Sequence, residues 1–94
     1  MEKDNRIFVV VEDVVCDMEG VPQVNNVYAK REDAIAYAKE RFEMFLDEGW
    51  IDEEENEGCR TESADKGIWE IYEEGRWADN HISITITETN VIFN

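Results

Sequence analysis

The residues most able to do chemistry lie between Asp47 and Asp65. That stretch holds nine acids, Asp47, Glu48, Asp52, Glu53, Glu54, Glu55, Glu57, Glu62 and Asp65, against one base, Arg60, for a net charge of −8. An acidic run broken by glycine invites comparison with a calcium loop. Such a loop places oxygen ligands at its first, third and fifth positions, glycine at the sixth and a bidentate Glu at the twelfth. Starting at Asp52 puts Glu54 and Asn56 in place, but Glu57 takes the glycine position and Ser63 the last. Starting at Glu53 places Gly58 correctly and leaves Ala64 at the end. Neither register closes a coordination sphere, so no calcium site is expected. Zinc would need about four closely spaced Cys and His ligands, and Cys16, Cys59 and His81 are the whole supply. A Cys59–His81 nucleophilic pair is disfavoured because Glu57, Glu62 and Asp65 surround the cysteine with charge that opposes a thiolate. The glycines at 20, 49, 58, 67 and 75 are dispersed and form no phosphate loop. With 24 acids in 94 residues, carboxylate pairs arise by coincidence and define no hydrolase. The expectation is a protein without catalysis, cofactor or metal.

The elements that position these residues follow from periodicity. Arg6–Asp17 reads as a strand whose apolar residues, Ile7 to Val11 with Val14 and Val15, occupy both parities. Such a strand is buried on two faces, or central with one face under a helix. Met18-Glu19-Gly20-Val21-Pro22 reads as a turn. Gln23–Ala29 reads as a weaker strand, with Asn25 and Asn26 suiting an edge or a bulge. Over Arg31–Glu48, Ala34, Ile35, Ala38, Phe42, Phe45 and Leu46 recur at helical spacing and line one face. Lys39, Glu40, Glu43 and Asp47 fall mainly on the other, and Gly49 ends the helix. Residues 50–67 lack periodicity and read as an acidic loop with one helical turn at 51–56. Ile68–Glu73 is a third strand and Trp77–His81 a polar connection. In His81–Thr89, Ile82, Ile84 and Ile86 alternate with Ser83, Thr85 and Thr87, the signature of a strand with one wet face. These elements predict one α+β domain over residues 1–94, a single antiparallel sheet of about four strands (β-β-α-β-β) with one helix on one face.

Phe8, Phe42, Phe45 and Trp69 fall on core faces. Trp50 and Trp77 stand at element ends, where each either covers the core rim or anchors a binding patch. Two widely spaced cysteines read as reduced thiols. The longest apolar run, Ile7–Val11, is far short of the roughly 20 residues of a membrane span. The first residues lack a secretory profile, so a cytoplasmic location is expected.

Function is expected to reside in the charge. Nine bases against 24 acids give a formal net charge of −15, which argues against binding nucleic acid or an anionic membrane directly. The dense run over 47–65 instead suits a cationic groove built for nucleic acid, whose Arg and Lys it would pair with. In size, charge, strand–helix–strand build and the Asp52–Glu57 run, the chain resembles small acidic proteins of phages and mobile elements that block host defence nucleases, anti-CRISPR proteins and other DNA mimics among them. It is also similar to small phage and bacterial domains in which an early strand pair precedes a helix of the form Glu32-Asp33-Ala34…Tyr37-Ala38. The first resemblance implies an inhibitor that occupies a basic partner through Asp47, Glu48, Asp52–Glu55, Glu57, Glu62 and Asp65, with Trp50 as anchor. Two other readings stay open. One is a module that self-associates, through an edge strand and the Ser83-Thr85-Thr87 face, into a homodimer. The other is a small-ligand sensor or sponge using a pocket between helix and sheet.

Overall fold

A computed structural model describes residues 6–16, 19–20, 25–73 and 80–90. The strands are β1 (Arg6–Cys16), β2 (Glu19–Gly20), β3 (Asn25–Tyr28), β4 (Arg60–Ser63), β5 (Ile68–Tyr72) and β6 (His81–Asn90), with one helix, α1 (Arg31–Asp47), between β3 and β4. All pairings are antiparallel. The order is β2-β1-β6-β5-β4, and β3 shares with β2 the outer side of β1. Thus β3 pairs with Phe8–Val11 and β2 with Val15–Cys16, two short pieces along one edge. The expected α+β sheet with a single helix is the fold.

β1 is the long central strand its β-branched run calls for. Its even residues Phe8, Val10 and Val14 are buried with Ile82 and Ile84 of β6 and Trp69 and Ile71 of β5, opposite Ala34, Ala38, Phe42, Phe45 and Leu46 of α1. Ala34 and Ala38 are fully buried, and their small side chains let the helix approach the sheet closely. The odd residues of β1 look away from the helix, which accounts for apolar residues on both parities.

One core position breaks the pattern. Glu12, between Val10 and Val14 on the helix side of β1, is only 3% exposed. Arg41 on α1 donates through Nε to Glu12 Oε1, and through Nη2 to Oε2 at 3.4 Å. The Arg41 guanidinium stacks 5.0 Å from the Phe45 ring centroid. Its hydrogen bond to Glu12 raises the Arg41 pKa above its ordinary value, so the pair remains ionic on that side.

The helix ends as Gly49 predicts. Gly49, at φ +78, donates to Leu46 O at 3.0 Å, and Trp50 N–H donates to Phe45 O at 3.4 Å. This double closure normally brings the second residue past the cap onto the last helical turn, and the Trp50 ring meets Phe45 edge-on at 5.6 Å. At the other end Lys30 caps without a side-chain hydrogen bond. Arg31 there reaches across to the β4–β5 turn, donating to Ala64 O at 2.7 Å and Asp65 O at 2.8 Å.

Two expectations need correction. Residues 50–67 are not loop throughout: a turn leads into a 3-10 segment at Glu57–Cys59 and then into β4. β4, Arg-Thr-Glu-Ser, has no apolar residue to announce it and is placed by its pairing with β5, Thr61 opposite Glu70 and Glu62 opposite Trp69. Glu19 and Gly20, assigned to a turn, pair back on Cys16 and Val15. Trp77 and most of its connection lie outside the described residues, as do Gln23 and Val24 of the expected second strand.

Candidate functional site

The acidic segment is held in place from below. Ile51 is buried in the core, and Asn56 is 3% exposed. Asn56 Nδ2 donates to Asp52 O at 2.8 Å, the Asn56 N–H to the same oxygen at 3.2 Å, and Asp52 Oδ1 accepts the Glu55 N–H at 3.0 Å. Between the two inward residues, Glu53, Glu54 and Glu55 are pushed outward. The expected helical turn is this one, and it works against the self-repulsion of its own carboxylates.

Arg60 ties the turn to the sheet edge. It donates to Glu53 Oε1 at 3.1 Å and to Glu62 Oε2 at 3.0 Å, with its guanidinium 5.5 Å from the Phe42 ring centroid. Glu62 above all, through its hydrogen bond and its charge, and Glu53 to a lesser degree, lift its pKa above the ordinary value against the opposing effect of burial. Around it Glu53, Glu54, Glu57 and Glu62 line an open concavity of about 360 Å³. Four carboxylates thus face one guanidinium, and Arg60 pairs with two of them, Glu53 and Glu62.

All nine acids of the segment are exposed. Asp47, Glu48, Asp52–Glu55 and Glu57 gather at the C-terminal end of α1, and Glu62 stands beside them on the helix-facing side of β4. Asp65 is separate. The Arg31 contact fixes it at the N-terminal end of α1, and 17 helical residues span about 25 Å. Lys30, Arg31 and Lys66 make that end mixed in charge. Trp50 lies folded on Phe45, with Nε1 donating to Glu48 Oε2 at 2.8 Å. It covers the core rim while leaving part of its surface beside the carboxylates. Outside the expected set, exposed Glu40 and Glu43 continue from Asp47 along one helix stripe at i, i+3, i+7 spacing. Their helical period was the available signal.

The opposite face of the sheet is sparing in acids. Among the described residues it carries Asp13 and Glu70, each already engaged: Asp13 Oδ2 is 3.3 Å from His81 Nε2, and Glu70 Oε1 accepts from Ser83 Oγ at 3.1 Å. Tyr72 stands over His81 with ring centroids 6.0 Å apart. Among the described residues no wall encloses this Asp13–His81–Tyr72 corner. Burial, then Glu70 and Asp13, raises the Tyr72 pKa above 10.0, and burial, then Glu12, raises that of Tyr37. The neutral phenols are the favoured folded forms, so their contribution to stability is complete below pH 10 and disappears as pH climbs through the folded values. In a 295 nm absorbance titration, Tyr37→Phe and Tyr72→Phe should each remove part of the highest-pH transition. Loss of a transition below pH 10 instead would contradict this.

The concentration of acids at the end of α1 has an energetic cost. The last turn contains no base, and Asp47 and Glu48 face the negative end of the helix dipole, each unfavourable by about 0.3–1 kcal/mol. Asp47→Lys should therefore raise the urea midpoint, with a gain of about 1 kcal/mol. A midpoint that stays put or falls would show that the dipole conflict is not felt.

No family model matches the chain, and neither a curated protein nor a solved structure matches it. No helix among the described residues is long and apolar enough to cross a membrane.

Proposed function

We propose that the protein is a non-enzymatic inhibitor that seats the acidic end of α1 and its following turn in the nucleic-acid groove of a basic defence or DNA-processing protein. The observation that carries this reading is the outward presentation of Glu53–Glu55 on a turn pinned by Ile51 and Asn56, beside Asp47, Glu48, Glu57 and Glu62. Carboxylates held in place before binding lose less freedom on docking than those of a slack tail. They would pair with the Arg and Lys that otherwise grip phosphate, and nucleic acid would be excluded by occupancy. The dipole conflict at Asp47 and Glu48 supports the same reading, since positions that break a local rule are where function is to be sought. The net charge would speed docking at low salt, and a partner of this kind places the protein in the cytoplasm.

The test is capture from lysate on the immobilised chain at low salt, followed by elution with duplex DNA at unchanged ionic strength. Nucleic-acid-binding proteins should leave the column with the DNA. Retained proteins that DNA does not displace would contradict the proposal.

A further inference from the structure

The sheet ends at β4, and no described strand pairs with β4 on the flank away from β5. Which backbone groups face outward there follows from the phase of the hydrogen bonds. Ile86 N–H donates to Gly67 O at 2.8 Å and Glu73 N–H to Asn80 O at 3.0 Å, so the odd residues of β5 bond toward β6. Alternation then turns the backbone of Ile68 and Glu70 toward β4, where Ile68 meets Ser63 and Glu70 meets Thr61. Thr61 and Ser63 are spent on β5, and Arg60 and Glu62 point the other way. The Arg60 N–H is taken by Glu57 O. Three groups remain without a partner among the described residues: Arg60 O, Glu62 N–H and Glu62 O.

From this we infer that β4 is a strand-addition edge whose occupant is an extended cationic segment of a partner protein, paired antiparallel with it. A residue opposite Glu62 exchanges two hydrogen bonds with it, and the residue two further on donates to Arg60 O. Both send their side chains to the helix side of the sheet, where Trp69 and Ile71 opposite Glu62 and Arg60 are buried. On that side Glu53, Glu54, Glu57 and Glu62 line the concavity with Arg60, four negative charges against one positive. The residue between them lies beside Thr61 on the other face. The segment that fits therefore carries a base at every second position, with small polar or β-branched residues between. Charge also excludes a second copy of the chain, which would bring the same carboxylates to the same edge. Three backbone bonds engage only three partner residues, so the four residues of β4 are enough. The inference rests on the reading that this acidic end takes a basic partner, and it adds that the partner is held by its backbone as well as by its charge.

The probe is an octapeptide of alternating threonine and arginine, blocked at both ends and titrated into the full chain at low salt. Methylating the backbone nitrogen of every arginine removes the N–H groups that face β4. Methylating every threonine nitrogen removes those that face away, at the same charge. The first peptide should bind at least about tenfold more weakly than the parent, and the second should bind like it. Amide hydrogen exchange at Glu62 should slow at least about tenfold with the parent peptide bound. Glu62→Pro, which deletes the edge N–H and no bond to β5, should bind the peptide more weakly than Glu62→Ala, which keeps it. Methylated peptides that bind alike, or a Glu62 amide left unprotected, would overturn the strand and leave pairing by charge, and with it the inhibitor reading, intact. A parent peptide that does not bind at millimolar concentration would overturn it too. So would Glu62 protection that grows with chain concentration in the absence of peptide, which would assign the edge to a second copy. Parity-dependent binding, together with captured proteins that duplex DNA does not displace, would keep the strand and remove the inhibitor reading.

Discussion

Arg41→Met should destabilise the fold by about 3 kcal/mol, the low end of what removing one member of a buried ion pair does. The substitution keeps an unbranched apolar stem but strands the Glu12 carboxylate among Val10, Val14 and Ile84, where Arg41 is its one ionic partner among the described residues. The pair itself need contribute little, because desolvating two charges offsets most of their attraction. Replacing both partners, Glu12→Leu with Arg41→Met, should therefore return the stability to within about 1 kcal/mol of the parent. Urea denaturation of the two single variants and the double variant closes the cycle. An Arg41→Met loss below about 1 kcal/mol would show that Glu12 finds another partner or water in the folded chain.

Charge reversal at Glu53, Glu54 and Glu55 should weaken binding of the captured partner by at least about 100-fold, or about 2.8 kcal/mol. It should also flatten the dependence of affinity on salt. Glu53 differs from its neighbours because it holds Arg60 at 3.1 Å, so its reversal also loosens the turn from β4. Glu54→Lys with Glu55→Lys leaves that clamp intact, and most of the loss should already appear in this pair. If the pair binds like the parent while the triple does not, the effect lies in the Arg60 clamp and not in the charge presented.

Much of the fold was legible because periodicity and parity are local signals. Ala34, Ala38, Phe42 and Phe45 could only be a helix face, Ile82, Ile84 and Ile86 only one side of a strand, and Gly49 a helix end. β4 was not legible, since Arg60-Thr61-Glu62-Ser63 has no pattern of its own and becomes a strand only when β5 offers a partner. The pinning of the acidic run was equally hidden. It depends on one apolar residue, Ile51, and one amide, Asn56, five positions apart, too sparse to read as a periodic face. Glu12 was open to detection, an acid on the core parity of an apolar strand, with Arg41 next to Phe42 on the long helical pattern of 31–48. The acidic set was legible by type but not by place. Asp65 sits about one helix length from Asp47 because Arg31 holds the β4–β5 turn at the far end, a contact between residues 34 apart in sequence. The second apolar face of β1 was visible in its parity, and the register shows which strands continue it.

The most direct test of the inhibitor account is mutual exclusion. With a captured partner in hand, its affinity for the chain is measured while duplex DNA is titrated in at constant ionic strength. The account predicts that the apparent dissociation constant rises in proportion to DNA and never levels off, because both ligands need the same groove. A plateau, or a complex in which partner, DNA and this chain are all present, would contradict it.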